Sequence, residues 1–334
     1  MTCILGIETS CDDTCASVVL NGSSILSNVV ASQHEIHEKY GGVVPELASR
    51  RHVEIIDVII KEALIQSGVA FGEITAVSVT NRPGLVGSLL VGVGAAKAIS
   101  YARKIPLIAV NHLKAHLYSN FLVFPEMGSG FIGLIVSGGH SSLYRVDHEW
   151  SITEEGHTLD DAAGEAFDKI ARFLNLGYPG GPIIDRLAKN GDPEKVTLPR
   201  PMLDSGDYNF SFSGLKTALI YRTRKEPELL SGDNIADLAA AFQSSIVEVL
   251  IEKTIGLCKK TGYEKILVSG GVAANSALRA SFTARSGQEG IQLFIPPVSL
   301  CMDNAAMVAC LGHHEYIAGR FSKLDVDVYS KSDI

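Results

Sequence analysis

The 334-residue sequence has few of the features that mark a secreted or membrane-spanning protein. Its six cysteines are scattered and form no C-x-x-C pair, which indicates reduced thiols in a reducing compartment. Residues 1–5 run straight into an apolar strand, without the pattern of a signal peptide. The longest stretch of small and apolar residues, 85–96, is too short to span a bilayer. We therefore expect a soluble protein of the cytoplasm without a membrane partner.

Positive charge is also scarce. The chain has 29 Lys and Arg residues against 37 Asp and Glu residues, a formal net charge of -8. This balance excludes a general positive field for nucleic acid, so such binding requires a local patch or a partner protein. The few basic clusters, at 50–51, 222–225 and 259–260, are more typical of solvated surface. Because hydrophobic residues make up 46% of the sequence, we expect a globular chain with room for two domains.

A repeated pattern of strand, small polar turn and strand organises the chain. It occurs at residues 3–20 and again at 131–146, and a strand followed by a glycine turn occurs at 266–271. Helices are predicted between these units, so the sequence predicts an α/β fold of two duplicated lobes. We expect residues 1–130 with about 303–325 to form the N-terminal lobe, and 131–302 the C-terminal lobe. The cleft between such lobes is the natural site for a ligand.

Two histidines follow the apolar run at 105–110. His112 and His116 are four residues apart, so a helix there places both imidazoles on one face. Two such imidazoles can share a metal ion if a third ligand arrives from elsewhere. The alternative is a pair of solvated or core histidines. Asp303, at or just before a predicted helix, is the candidate third ligand, and its alternative role is to cap that helix.

Further acidic and polar residues occur in the second half of the chain. A helix is predicted over 158–181, and on sequence alone we interpret its Asp168 as the ion-pair partner of Arg172. The next helix is predicted to begin at Pro182, with Asp185 in its first turn. The strand-to-helix turn at 269–276 has glycines and amides that suit a phosphate or ribose, although it is not a G-x-G-x-x-G motif.

The helix predicted from 85 to about 103 has unusually small side chains, including Gly87, Gly92 and Gly94. Each glycine inside a helix costs roughly 1 kcal/mol relative to alanine. Close packing of the helix backbone against a neighbour must offset this cost. We expect packing within the chain, with an oligomer or partner surface as the alternative.

Five short motifs occur together in a fixed order. They are GIETSCDDT at 6–14, H-x-x-x-H at 112–116, IVSGGH at 135–140, SGGVAAN at 269–275 and DNAA at 303–306. In this combination the chain resembles the tRNA threonylcarbamoyladenosine transferases of the bacterial and organellar type, from residue 3 to about 320. The resemblance implies the fold of actin, sugar kinases and the Hsp70 ATPase, which is two duplicated α/β lobes around an inter-lobe nucleotide cleft.

The same resemblance implies an activity and its components. The threonylcarbamoyl group of threonylcarbamoyl-AMP is transferred to the exocyclic amine of the adenine just 3′ of the anticodon, in tRNAs that read codons beginning with A. A metal ion, iron(II) or alternatively zinc, is implied at His112, His116 and Asp303. Bacterial relatives work with a shortened paralogue and a small ATPase. The residues implied in binding the intermediate are Ile135, Val136, Ser137, Gly138, Gly139, Asp168, Gly181, Asp185 and Asn275.

The sequence motifs identify the base that accepts the amine proton less clearly. Asp12, in the first polar turn, is our candidate, and His140 is the second.

Three other functions compete with the transferase. A zinc metalloprotease needs glutamate after the first histidine, where Leu113 stands. A small-molecule kinase would need an aspartate and glycines in the first turn, where Glu8, Thr9 and Ser10 stand. A non-catalytic scaffold on the same fold needs no metal, so a metal assay distinguishes it from the transferase.

Overall fold

The computed structural model of the chain describes residues 1–232 and 234–331. The described chain forms two compact units. One comprises Met1–Gly128 with the described part of Met302–Ile334, and the other comprises Ser129–Cys301. Each unit is built around a five-stranded mixed sheet with helices packed on it.

The strands of the two sheets follow one plan. The strands are β1 (Cys3–Glu8), β2 (Asp13–Leu20), β3 (Ser24–Ser32), β4 (Ala76–Arg82), β5 (Leu107–Asn111), β6 (Phe131–Val136), β7 (Ser141–Val146), β8 (Ile152–His157), β9 (Lys265–Ser269) and β10 (Gln292–Phe294). The sheet orders are β3-β2-β1-β4-β5 and β8-β7-β6-β9-β10. In each, an antiparallel meander is followed by two parallel strands. The predicted duplication is therefore confirmed at the level of topology.

The helices occupy the segments between these strands and the chain after β10. They are α1 (His34–Glu38), α2 (Pro45–Ser67), α3 (Val86–Arg103), α4 (His112–Tyr118), α5 (Ala163–Phe173), α6 (Gly180–Ala188), α7 (Ser213–Lys225), α8 (Asn234–Thr261), α9 (Ser276–Gln288), α10 (Val298–Cys301) and α11 (Ala305–Ile317). Helix α11 returns to the first unit and packs on β1, β2 and β4.

Helix α8 is long and apolar enough to cross a membrane by length and composition, a feature that the sequence interpretation overlooked. In the structure 78% of its most apolar window is buried within the fold. Leu238, Phe242 and Ile246 belong to the core of the second unit, together with residues of β6 and β9. Apolar side chains on nearly all sides are expected of a helix at the centre of a large core.

Helix α5 is shorter than predicted. It begins at Ala163 and ends at Phe173, so the prediction of a helix over 158–181 was wrong at both ends. The Oγ of Ser141 accepts a hydrogen bond from the amide of Ala163, while the amide of Leu159 donates to Phe210 and holds the preceding segment extended. Helix α6 then begins at Gly180, two residues before Pro182, which moves Asp185 out of the first turn.

The small-sided helix α3 packs within its own unit, as predicted. A Cβ on Gly92 would lie 2.3 Å from Oγ1 of Thr9, and one on Gly87 would lie 2.5 Å from Oγ of Ser49. Gly94 is exposed, and a Cβ there would meet nothing within 4 Å. Close internal packing therefore accounts for the two glycines that face α2 and the turn after β1.

The contact between β1 and α11 predicts a large effect of a small substitution. A Cβ on Gly6 would lie 2.3 Å from the carbonyl oxygen of Ala305 and 2.8 Å from the amide nitrogen of Ala309. We expect Gly6→Ala to lower the free energy of unfolding by about 3 kcal/mol or more, because strand and helix must separate. Urea denaturation measures this change. Gly94→Ala is the matched control, which we expect to stabilise the protein by up to about 1 kcal/mol. An unchanged midpoint for Gly6→Ala would contradict the packing.

Candidate metal centre and ligand-binding turns

The two histidines lie at the start of α4, where β5 ends. Asn111 is the N-cap, and its Oδ1 accepts hydrogen bonds from the amides of Leu113 and Lys114 at 2.8 and 3.1 Å. The cap starts the helix directly at His112, so His112 and His116 lie one turn apart on one face. Both are buried, with 7% and 1% exposed, and their ring centroids are 4.6 Å apart in an edge-to-face arrangement.

Asp303 joins the histidines from the other end of the chain. Its Oδ1 lies 3.1 Å from Nε2 of His116 and 3.5 Å from Nε2 of His112. The capping alternative was wrong, because Asn304 caps α11 by accepting a hydrogen bond from the amide of Met307. One ligand atom from each of the three residues lies within 4.8 Å of the others. Two imidazoles and a carboxylate are a donor set for a divalent transition metal, so this cluster can hold a single ion.

The electrostatics of the cluster are dominated by carboxylates. Burial alone would lower the pKa of His112, but the charges of Glu8 and Asp303 and a hydrogen bond to Glu8 raise it to about 9. The pKa of His116 is lowered, because burial and the nearby His112 charge outweigh the hydrogen bond to Asp303. Glu8 is 1% exposed, and the opposing effects of burial and of His112 leave its pKa below the usual value.

The turn between β1 and β2 adds further acidic groups to the same unit. Asp13 begins β2, and burial together with the charges of Asp303 and Asp12 raises its pKa to about 7. Burial, Asp12 and Asp303 likewise raise the pKa of the Cys11 thiol. The sequence interpretation identified this turn and named Asp12 as a candidate base in it, but it assigned no role to Glu8 or Asp13. The density of carboxylates between two apolar strands was the available signal.

The candidate ligand-binding residues of the second unit begin at the β6–β7 turn. Ile135 and Val136 are buried at the end of β6, and Gly138 and Gly139 are exposed at the tip of the turn. The amide of Ser137 donates to the carbonyl oxygen of His140 at 2.8 Å, and the amide of His140 donates to Oγ of Ser137 at 3.1 Å. The Ser137 amide is therefore used by the turn itself.

The α5–α6 junction is held by Asp168. Its Oδ1 accepts a hydrogen bond from the amide of Gly180 at 2.7 Å, where α6 begins. The interpretation as an ion pair with Arg172 was wrong, since Arg172 acts on this carboxylate only as a nearby charge. Burial raises the pKa of Asp168 despite the hydrogen bonds from Gly180 and Gly181. A Cβ on Gly181 would meet nothing within 4 Å, so its backbone is open to approach.

Asp185 and Asn275 both bond to the first turn of α9. Oδ1 of Asp185 accepts hydrogen bonds from the amide and the Oγ of Ser276, at 3.2 and 2.8 Å. Asn275 is the N-cap of α9, and its Oδ1 accepts from the amide of Leu278 at 2.9 Å. Its Nδ2 donates to Oε1 of Gln243 at 2.7 Å. Both residues thus set the shape of the turn that follows β9, the strand beside β6.

Comparison with known proteins identifies the family. The family model described as tRNA N6-adenosine threonylcarbamoyltransferase matches residues 24–310. A protein of that name from Syntrophomonas wolfei is 51% identical over 326 residues, which is 98% of this chain and 96% of the relative. Another from Geobacter sulfurreducens is 50% identical over 324 residues, covering 97% of this chain and 95% of the relative.

A solved structure supports the fold. The (R)-2-hydroxyglutaryl-CoA dehydratase component A from Acidaminococcus fermentans aligns with a TM-score of 0.56 at 15% identity, covering 95% of this chain and all of that chain. The duplicated α/β architecture is that of the actin-like ATPase fold, as predicted. On the family match and the near-complete overlap with its relatives, the chain belongs to the tRNA N6-adenosine threonylcarbamoyltransferase family.

Proposed function

We propose that the protein transfers the threonylcarbamoyl group of threonylcarbamoyl-AMP to N6 of the adenine 3′ of the anticodon, in tRNAs that read codons beginning with A. The product is threonylcarbamoyladenosine. The proposal rests on family membership over nearly the whole chain. In the structure, the single supporting observation is the convergence of His112, His116 and Asp303 within 4.8 Å.

The metal in this proposal is one divalent ion per chain, iron(II) with zinc as the alternative. His112, His116 and Asp303 would hold it. When bound, it supplies a Lewis acid for carbamate or phosphate oxygens. The surrounding carboxylates of Glu8, Asp12 and Asp13 favour a cation at this place, because a positive charge relieves their mutual repulsion.

The second unit would bind the intermediate. The exposed amides of Gly138 and Gly139 suit a phosphate, and Gly181 leaves room for close backbone approach. Asp185 and Asn275 would act by fixing the start of α9 for the AMP moiety. Because the acyl phosphate is already activated, the protein need only hold its carbonyl beside the amine and remove a proton from it. The bond from N6 to the carbonyl carbon then forms as the bond from that carbon to the phosphate oxygen breaks and AMP leaves. Asp12 is the proposed base, and His140 is the second candidate.

We further propose that the protein works in the cytoplasm with a shortened paralogue of its own fold and a small ATPase. All six cysteines are free, which fits a reducing compartment. The net charge of -8 supports the need for a partner or a local patch in binding tRNA. Omitting each partner in turn from a reconstituted reaction tests this part of the proposal.

Reconstitution tests the activity directly. Purified protein, unmodified tRNA, threonine, bicarbonate and ATP are combined with the intermediate-forming enzyme and the two partners, and the digested tRNA is analysed by mass spectrometry. We expect threonylcarbamoyladenosine only when this protein is present. Elemental analysis of protein purified without oxygen identifies the metal. If the complete mixture leaves the adenosine unmodified, the proposed function is wrong.

The rival functions have less support. Leu113, where a metalloprotease of this type needs its glutamate, is buried with 2% exposed. A kinase of this fold would need an aspartate and glycines at the first turn to face a magnesium nucleotide, and Glu8, Thr9 and Ser10 stand there. The Glu8 carboxylate instead accepts hydrogen bonds from Ser10, Thr80 and His112.

A further inference from the structure

The carboxylate of Glu8 is directed at the side of His112 that faces away from Asp303. Oε2 of Glu8 lies 2.9 Å from Nδ1 of His112, whereas Nε2 of the same ring lies 3.5 Å from Oδ1 of Asp303. The two ring nitrogens therefore serve different partners. Oγ of Ser10 also lies 3.2 Å from Nδ1, as a weaker second neighbour.

The fold holds Glu8 in this position rigidly. Glu8 ends β1, Thr80 lies near the end of β4, and His112 follows the end of β5, so all three come from the same edge of three adjacent parallel strands. Oγ1 of Thr80 donates to Oε2 of Glu8 at 2.6 Å, and the amide of Ser10 donates to Oε1. A carboxylate with both oxygens bonded inside the protein has little freedom to turn away.

This contact decides which nitrogen of His112 carries the proton. Each oxygen of Glu8 already accepts a hydrogen bond, Oε1 from the amide of Ser10 and Oε2 from Oγ1 of Thr80, so the group faces His112 as an acceptor. Nδ1 must then be the donor, and in the neutral ring that metal binding requires, the lone pair is left on Nε2, beside Asp303 and His116. A carboxylate behind a ligating imidazole also makes the ring a stronger donor to a metal.

His116 lacks an equivalent contact. Within residues 1–232 and 234–331, its buried Nδ1 has no hydrogen-bond partner, and its Nε2 faces Asp303 at 3.1 Å. The two histidines are therefore not equivalent as ligands, because among the described residues only His112 has a carboxylate, that of Glu8, at its Nδ1 atom. The orientation and basicity of His112 therefore depend on Glu8, which contacts the ring on the side away from Asp303 and so is not a ligand itself.

We propose that Glu8 is a positioning residue that fixes His112 with Nε2 free to bind the metal and so sets the affinity of the site. This inference rests on the proposed metal site. Glu8 acts through His112 and need not touch the substrate. Outer partners of ligating histidines typically contribute 10- to 100-fold to metal affinity. We therefore expect Glu8→Gln, which keeps the size of the side chain and removes its charge, to weaken metal binding by a factor of this order.

The experiment uses the full chain stripped of metal and titrated with cobalt(II), whose visible absorption reports the ligand geometry. Wild type, Glu8→Gln and two controls are compared. Ser17→Ala removes another buried hydrogen bond of the same sheet, from Oγ to the carbonyl of Ser27 at 2.5 Å, and controls for loss of stability. Ser10→Ala removes the second neighbour of Nδ1. We expect both controls to bind cobalt with wild-type affinity and spectrum, and Glu8→Gln to bind about 10- to 100-fold more weakly with a changed spectrum.

The outcomes separate this inference from the proposed function. If wild type and Glu8→Gln bind cobalt equally, with the same spectrum, Glu8 does not position His112 while the metal site stands. If Ser17→Ala weakens binding as much as Glu8→Gln, the effect is one of stability and the inference is also overturned. If wild type binds no cobalt, the metal site of the proposed function fails, and the role of Glu8 fails with it.

Discussion

Asp303→Ala will abolish stoichiometric metal binding. The carboxylate is the ligand that brings negative charge to two imidazoles, at 3.1 and 3.5 Å from their Nε2 atoms. Without it, two ligands one helical turn apart remain, one fewer than the three protein ligands of a typical catalytic zinc site. We expect at least about a 100-fold loss in affinity, beyond the usual effect of an outer partner. Equilibrium dialysis with elemental analysis measures it.

The same substitution should lower the pKa of both Asp13 and His112 in the metal-free protein. Asp303 lies among like charges and, with burial and Asp12, raises the pKa of Asp13 to about 7. Removing it relieves this repulsion, so the pKa of Asp13 should fall. It also removes a negative charge beside His112, so the pKa of that ring should fall from about 9, and NMR titration measures both changes. Asp57→Ala, which removes an exposed carboxylate paired with Lys61 on α2, is the control and should bind metal normally. Wild-type metal affinity in Asp303→Ala would show that these three residues are not the site.

Much of the fold could be predicted, because local patterns determine it. Strands β6 and β7 lie where the repeat at 131–146 predicts them, because a turn of serine and glycine separates the two strands. The start of α5 could not be predicted. Ser141, 22 residues earlier, accepts the hydrogen bond from Ala163 that begins the helix, and no pattern near Thr158 records that contact. Thr158, where the helix was predicted to begin, instead donates from Oγ1 to the carbonyl oxygen of Asp161.

The candidate site likewise has one part that local sequence spacing predicts and another that depends on distant contacts. The spacing of His112 and His116 predicts a shared face because a helix connects them. Asp303 is 187 residues from His116, so no periodicity connects it to the histidines, and its place before a predicted helix left capping as an alternative role. Glu8 is 104 residues from His112, and the sequence contains no signal for their contact. It arises because β1, β4 and β5 are adjacent and parallel, which brings their carboxyl ends to one edge.

Asp12→Ala is expected to keep both metal and intermediate binding and to lose transfer. Asp12 is a partly exposed residue in the turn between β1 and β2, and it is not one of the three residues whose ligand atoms converge. A positioned base typically contributes 10²- to 10⁴-fold to rate, so single-turnover transfer should fall by at least about 100-fold. The assay follows the modified nucleoside with preformed threonylcarbamoyl-AMP, and dialysis confirms that metal remains bound.

Asp13→Asn and His140→Ala identify the base if it is not Asp12. Asp13 has a pKa raised to about 7, and a carboxylate acts as a base only when deprotonated. If Asp13 were the base, the rate would rise as the pH passes its pKa, which a bound cation would lower from about 7, and Asp13→Asn would abolish that rise. If Asp12 is the base, we expect Asp13→Asn to retain substantial transfer and Asp12→Ala to lose transfer at every pH. Wild-type single-turnover transfer by Asp12→Ala would rule out its role, and the variant that loses transfer without losing metal would then mark the base.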